Sequence, residues 1–188
     1  MRFRVLFLAW LVVAAIAGAS GAVSRLQPPY PQLVLMGLTA ALVTAGATWP
    51  AFRAWNFSLS WHSIVAIHVS RFVGVYFIYL YTRGQLPYAW AVPAGIGDTL
   101  VAFLAAALLV TAAATKHPLL LLLWNALGFA DIVMVVAKAA LIGTRNPQSM
   151  SALTRLPLSL LPTFLVPIII ASHVLLFVQT RNVVRRVA

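Results

Sequence analysis

Long apolar runs, rather than an alternation of apolar and polar positions, organise this chain. Six windows are long enough to cross a hydrocarbon core, which takes about 20 helical residues: roughly 3–22, 31–49, 59–82, 88–113, 118–142 and 157–180. The breaks between them carry turn chemistry, as in Gln27-Pro28-Pro29-Tyr30-Pro31, Trp49-Pro50, Arg83-Gly84-Gln85-Leu86-Pro87, Lys116-His117-Pro118 and Asn146-Pro147. No segment is polar enough for a soluble domain, and no internal repeat stands out. The pattern predicts an all-α, polytopic membrane helix bundle of about six transmembrane helices, one integral membrane domain over 1–188.

Composition sharpens this reading. Hydrophobic residues are 63% of the chain and charged residues 8%, with a mean hydropathy of +0.98, far from the balance of a soluble domain. A net charge of +11 would fit nucleic acid only if the cations shared one face, but the 13 Lys and Arg stand singly at the ends of apolar runs. Their expected partner is the lipid bilayer with its anionic headgroups. With no cysteine, disulfides, thiolate metal sites and a Cys nucleophile are excluded.

Six spans put both termini on one side. Arg2, Arg4, Arg53, Lys116, Arg181, Arg185 and Arg186 then lie with the termini, against Arg25, Arg83, Arg145 and Arg155 opposite, which favours cytoplasmic termini. Trp49, Phe52, Trp55, Phe57 and Trp61 on the inner side and Tyr79, Tyr81, Tyr88 and Trp90 on the outer read as interfacial belts. Arg2 and Arg4 before a run ending Ala19-Ser20-Gly21-Ala22 also describe a secretory leader, but the run reaches spanning length and is read as an uncleaved first helix.

The chain holds two acidic residues, Asp98 and Asp131, and both fall inside spans, as does Arg71. At 1.5 Å per residue Arg71 lies about 18 Å, and Asp131 about 20 Å, from the inner ends of their helices, with Asp98 about 15 Å from an outer end, so all three can meet at mid-membrane. Each would cost about 2.5–3.5 kcal/mol at the centre of a lone inserted helix. Arginine does not deprotonate in proteins, so Arg71 needs a carboxylate. Asp98, on the next antiparallel helix, is the expected partner, leaving Asp131 as a second carboxyl beside one cation. Lys138 is placed to snorkel outward.

Small residues around Asp98 (Ala91, Ala94, Gly95, Ala102, Ala105) permit close helix approach, and Pro93 with Gly95 and Gly97 marks a place where the fourth helix could kink or break. Pro167 cannot donate to the carbonyl of Thr163 and should bend the sixth. His68 sits one turn from Arg71. His173 and Asn125 complete the intramembrane polar set, Asn125 as interhelical hydrogen-bond glue.

Arg71, Gly84-x-Leu86-Pro87, Ala94-Gly95-x-Gly97-Asp98, Trp124-Asn125-x-x-Gly128-x-x-Asp131 and Leu161-Pro162-x-Phe164-x-Val166-Pro167 with His173 resemble a family of small, uncharacterised bacterial multi-helix membrane proteins. The resemblance runs from about residue 60 to 177 and implies a bacterial inner membrane but no activity. Gly95-Ile96-Gly97-Asp98 also resembles the signature of intramembrane aspartyl proteases of the presenilin, signal peptide peptidase and prepilin peptidase type, whose two carboxylates share a proton. There the partner Asp precedes the glycine signature, whereas Asp131 follows it, and the Tyr-Asp and Pro-Ala-Leu elements of the presenilin group are missing.

Three non-proteolytic classes are therefore weighed above proteolysis. A structural or accessory membrane protein, joined to a membrane partner or a second copy, would keep the charges as a latch. A binding or proton-coupled transport protein would use Arg71, Asp98 and Asp131 as a working site. A haem b protein would take His68 and His173 as axial ligands. The first is the reading adopted, with no catalytic residue, no metal and no cofactor assigned.

Overall fold

The computed structural model describes residues 2–111 and 117–187, with side chains to Thr180. Among the described residues eight α-helices form and there is no strand. They are α1 (Arg2–Ala19), α2 (Tyr30–Thr48), α3 (Pro50–Ser58), α4 (Trp61–Ile67), α5 (Val73–Thr82), α6 (Tyr88–Thr111), α7 (Pro118–Arg145) and α8 (Val166–Val187). Six helical units are long and apolar enough to cross a membrane: Arg2–Ala19, Tyr30–Thr48, Trp61–Thr82, Tyr88–Thr111, Pro118–Arg145 and Leu161–Thr180. This is an all-α, multi-pass membrane bundle. Lys116, Ala112 and Ala113 lie outside the described residues, as do the side chains of Arg181, Arg185 and Arg186.

Boundaries follow local chemistry. Proline stands in the first turn of α2, α3 and α7, where its missing N–H costs nothing. Ser60 caps α4 by accepting the Ser63 amide at 3.2 Å. Gly84, at φ +69°, turns the chain out of α5, a conformation that disfavours any residue with a Cβ.

One expectation about helix breaks is revised. The fourth span is continuous: α6 runs through Pro93 and Asp98 without interruption. The break lies instead in the third span, where His68–Phe72 tightens into a 3-10 turn between α4 and α5. Ser70 returns its hydroxyl to the Ile67 carbonyl there at 2.6 Å. Pro167 does perturb the sixth span, which opens with a π-helical turn over Leu161–Leu165, closed by the Val166 amide on the Leu161 carbonyl. That span begins at Leu161, since 157–159 form turns.

The core is the packing of the last four spans. At the α5–α6 crossing, a Cβ on Gly74 would meet the Gly95 carbonyl oxygen at 2.5 Å, and one on Gly95 would meet the Gly74 oxygen at 2.6 Å. The two backbones touch, an approach only glycine on both sides permits. Above it Phe77, Leu80, Trp90, Ala91 and Val135 interlock, and below it Ile64, Val65, Val101, Ala105 and Trp124.

The aromatic belts are partly redrawn. Tyr79, Tyr81 and Tyr88 are exposed, but Trp90 is 2% exposed and donates its indole N–H to the Val135 carbonyl at 3.0 Å, so it is a core strut. Phe52 is buried, and with Trp49 and Trp55 it forms an aromatic cluster with Phe3 of α1. These rings tie α1 to α3 and its start.

Candidate functional site: a buried arginine–aspartate centre

The reciprocal glycine contact fixes where Arg71 falls. Gly74 is one turn after Arg71 and Gly95 just before Asp98, so touching backbones at this pair bring the two charged groups together. The Arg71 Nε donates to Asp98 Oδ1 at 2.5 Å. Its Nη1 donates to the Gly128 carbonyl at 3.0 Å, and its Nη2 to Asp131 Oδ2. One guanidinium thus holds α6 and two successive turns of α7 at once, with 1% of its side chain exposed.

The expected Arg71–Asp98 pair is present. Asp131, expected as a second carboxyl beside the one cation, is bonded to it directly as the guanidinium's second partner. Arginine's planar fork reaches two carboxylates and a carbonyl together, which a point-charge ammonium does not. A Cβ on Gly97 would fall on the Asp131 carboxylate, so this glycine makes room for the second partner. Asp131 is the more open of the two acids, at 10% side-chain exposure against 5% for Asp98. Lys138 is exposed and takes no part, as expected of a snorkelling lysine.

Beside this centre lies a second polar group. His68 and His173 are both fully buried, with ring centroids 4.3 Å apart, and Trp124 meets the His68 ring edge-on at 4.9 Å. Their tautomers follow from their partners. Asn125 donates its Nδ2 to the His173 carbonyl at 3.1 Å, which leaves its Oδ1 to accept from His173 Nδ1 at 2.8 Å. Ser172 donates its hydroxyl hydrogen to the Ile169 carbonyl at 2.8 Å, so His68 Nε2, 3.0 Å away, carries the proton between them. Each imidazole therefore turns a bare lone pair, His68 Nδ1 and His173 Nε2, into the interior with no partner among the described residues. Asn125 proves to be tautomer-fixing as well as interhelical.

The haem reading does not fit this packing. Metal–nitrogen bonds of about 2 Å on each face would hold the two nitrogens about 4 Å apart and the ring centres farther still. The rings stand closer than that, and Gly128 fills the adjoining space, where even a Cβ would lie 2.7 Å from His173 Cε1. No group of three or more His, Asp or Glu suited to a metal ion occurs among the described residues.

Sequence reasoning found all six polar residues but missed Ser172 and the Gly128 carbonyl. A serine one residue before an intramembrane histidine was the available signal for the first. No side chain announces the second.

Fold and site together define a class: a multi-pass membrane bundle built around a buried Arg–Asp–Asp centre. Within that class the chain belongs to a family described as a domain of unknown function, DUF8737, which matches residues 28–181 and so takes in every member of the centre. No curated protein and no solved structure matches it.

Proposed function

We propose that this is a non-enzymatic structural or accessory protein of a bacterial inner membrane, with both termini cytoplasmic, in which the Arg71–Asp98–Asp131 network latches the third, fourth and fifth spans in one register. The observation that carries the reading is Arg71 itself: 1% exposed, its fork engaged by two carboxylates and a carbonyl on two neighbouring helices. The two cavities described, of about 610 and 320 Å³, are lined by none of these residues. In lipid, where apolar surfaces give helices little reason to associate, such a network and close glycine contacts supply the specificity. The basic-residue asymmetry supports the orientation, and reporter fusions at the two ends should read the same inner side. A membrane-protein partner or second copy would complete the accessory role. The comparison with aspartyl proteases draws no support from a centre in which one arginine occupies both acids, since a shared-proton dyad needs its carboxylates facing each other.

Because the chain has no cysteine, a single introduced thiol reports on water at the centre without background. Thr99→Cys, one residue from Asp98 and packed against Gly74, is expected to resist a water-soluble maleimide in intact membranes. Rapid labelling from either side would replace the latch with a wet working site.

A second reading, proton-coupled binding or transport, is favoured by one observation. Two carboxylates face one guanidinium, so the centre is one positive charge short unless a proton or cation joins it. Under that reading, protein with Arg71→Met, Asp98→Asn and Asp131→Asn combined folds but does not work, whereas a latch recovers both.

A further inference from the structure

Charge counting reaches beyond the centre. The chain has only two side-chain carboxylates, and Arg71 binds both, so no other lysine or arginine has an Asp or Glu on its own chain to pair with. For most of them this means a solvated cation at a helix end. Two line cavities: Arg53 the smaller, of about 320 Å³, and Arg155, exposed at its mouth, the larger, of about 610 Å³, within the range of small-ligand sites.

That cavity lies where the Arg83–Pro87 turn meets the segment from Gln148 to Leu158, on the side of the bundle opposite the termini. Its floor is apolar, from Leu80, Leu86 and Leu158. Beside Tyr76 and Ser149, whose hydroxyl is spent on the Asn146 carbonyl, its lining holds four polar side chains that can donate: the Arg155 guanidinium, the Gln85 and Gln148 amides and the Ser151 hydroxyl. None of these four side chains makes a hydrogen bond within the described residues, and no acidic side chain lines the cavity. One wall is Tyr76 and Leu156, 37% and 43% exposed, which carries the cavity onto the outer surface of the bundle beside the third span.

We infer that this cavity binds a phosphate-bearing amphiphile, with Arg155 and the amide and hydroxyl donors on the phosphate and the Tyr76–Leu156 wall along an acyl chain. A cation with no internal counter-ion, donors with no internal acceptor and an apolar exit to the bilayer all point to one ligand chemistry: an anionic oxygen cluster attached to an apolar tail. Guanidinium is the side chain best matched to it, through paired charge-assisted hydrogen bonds. The same headgroup chemistry could also arrive as a free phosphate ester.

Native mass spectrometry of the full-length protein, purified in mild detergent and offered equal phosphatidylglycerol and phosphatidylcholine, tests this directly. Phosphatidylglycerol should be retained preferentially, and Arg155→Gln should reduce that retention about tenfold, the scale of one lost charge-assisted contact. Arg83→Gln, which removes a cation from the same side outside the cavity, should leave it unchanged. Ser151→Phe, which fills the cavity and keeps the guanidinium, should also abolish the preference, so a folding defect at one position cannot mimic the result. In a second arm, glycerol 1-phosphate without lipid is added to a thermal melt: an Arg155-dependent shift would identify a soluble ester as sufficient, and no shift would make the tail obligatory. Equal retention of the two lipids, or a preference that survives both Arg155→Gln and Ser151→Phe, overturns the assignment.

Discussion

The first two spans and the last four are similarly apolar, with window hydropathies of 1.8 and 1.4 against 1.6 to 2.3, yet they are packed very differently. Only 6% of the residues in each of the first two windows are buried, against 33–39% in the others. What separates them is the polar content of the span interiors, since small residues such as Gly18, Gly37 and Gly46 occur in the first two as well. Every ionisable residue in the middle of a span, both buried histidines and the touching glycines lie in the last four. Apolar side chains gain little by leaving lipid for protein, so a helix without small or polar contacts has no strong reason to be enclosed. The family match, which begins at residue 28, leaves out α1 but takes in the sparsely buried second span together with the centre.

The largest effect expected on either side of that division is at Arg71. Arg71→Met strands two buried carboxylates and should cost about 3–5 kcal/mol, read as a lower melting temperature and yield in detergent. Because the guanidinium has two acidic partners, Arg71→Met with Asp98→Asn should recover only part of the loss. Adding Asp131→Asn should recover most of the rest. A cycle in which the double mutant already recovers fully would demote Asp131 to a bystander, and additive losses throughout would dissolve the network.

Next in size is the crossing that brings the charges together. Gly95→Leu must push α6 off the Gly74 backbone, and overpacking of this kind costs about 1–3 kcal/mol. Its diagnostic consequence is coupling to the centre. In the triple neutral background the same substitution should lose the part of its cost that came from pulling Arg71 away from Asp98. An identical cost in both backgrounds would show that the glycine contact and the charge contact are independent.

Asn125→Leu should follow, at about 1–3 kcal/mol, because it leaves His173 Nδ1–H buried without an acceptor. The sharper readout is nitrogen NMR of labelled histidine. The fixed Nδ1–H tautomer of His173 should give way to a mixture in the variant, while His68, held by Ser172, should not change. Tautomer exchange already present in the unsubstituted protein would show that the hydrogen-bond chain does not hold the rings as described.

How much of this could be read from the residues themselves depends on which physical signal carries it. Span number was legible because length and hydropathy are strong one-dimensional signals, and the meeting of Arg71, Asp98 and Asp131 because a 1.5 Å rise fixes depth. Rotation about each helix axis was not. That is why the guanidinium's direct bond to Asp131 beside Asp98 was not specified, and why Trp90 was placed at the interface when its indole reaches the Val135 carbonyl. The break at His68–Phe72 left no proline or glycine to announce it, whereas Pro93, which did announce one, sits in an unbroken helix. In lipid a proline's freed carbonyl can be satisfied by a neighbour, so its effect is set by tertiary packing and not by sequence alone.

That same principle predicts the smallest effect, at the edge of the less packed region. Pro167 has no N–H for the Thr163 carbonyl, and the Trp10 indole of α1 donates to that oxygen at 2.9 Å while its ring meets Phe164 edge-on at 5.0 Å. The first span is therefore pinned to the bundle at the carbonyl the proline leaves free. Trp10→Phe keeps an aromatic ring but removes the donor, and should cost about 1 kcal/mol, near the net value of one hydrogen bond. Leu8→Ala, on a side chain 62% exposed, should change stability by less than about 0.5 kcal/mol. Thermal melts of the two variants beside the parent measure the difference. If Trp10→Phe were as silent as Leu8→Ala, the pin would carry no energy, and the aromatic cluster around Phe3 and Phe52 with the Gly18 contact on Ser159 and Leu156 would be left to hold α1 in place.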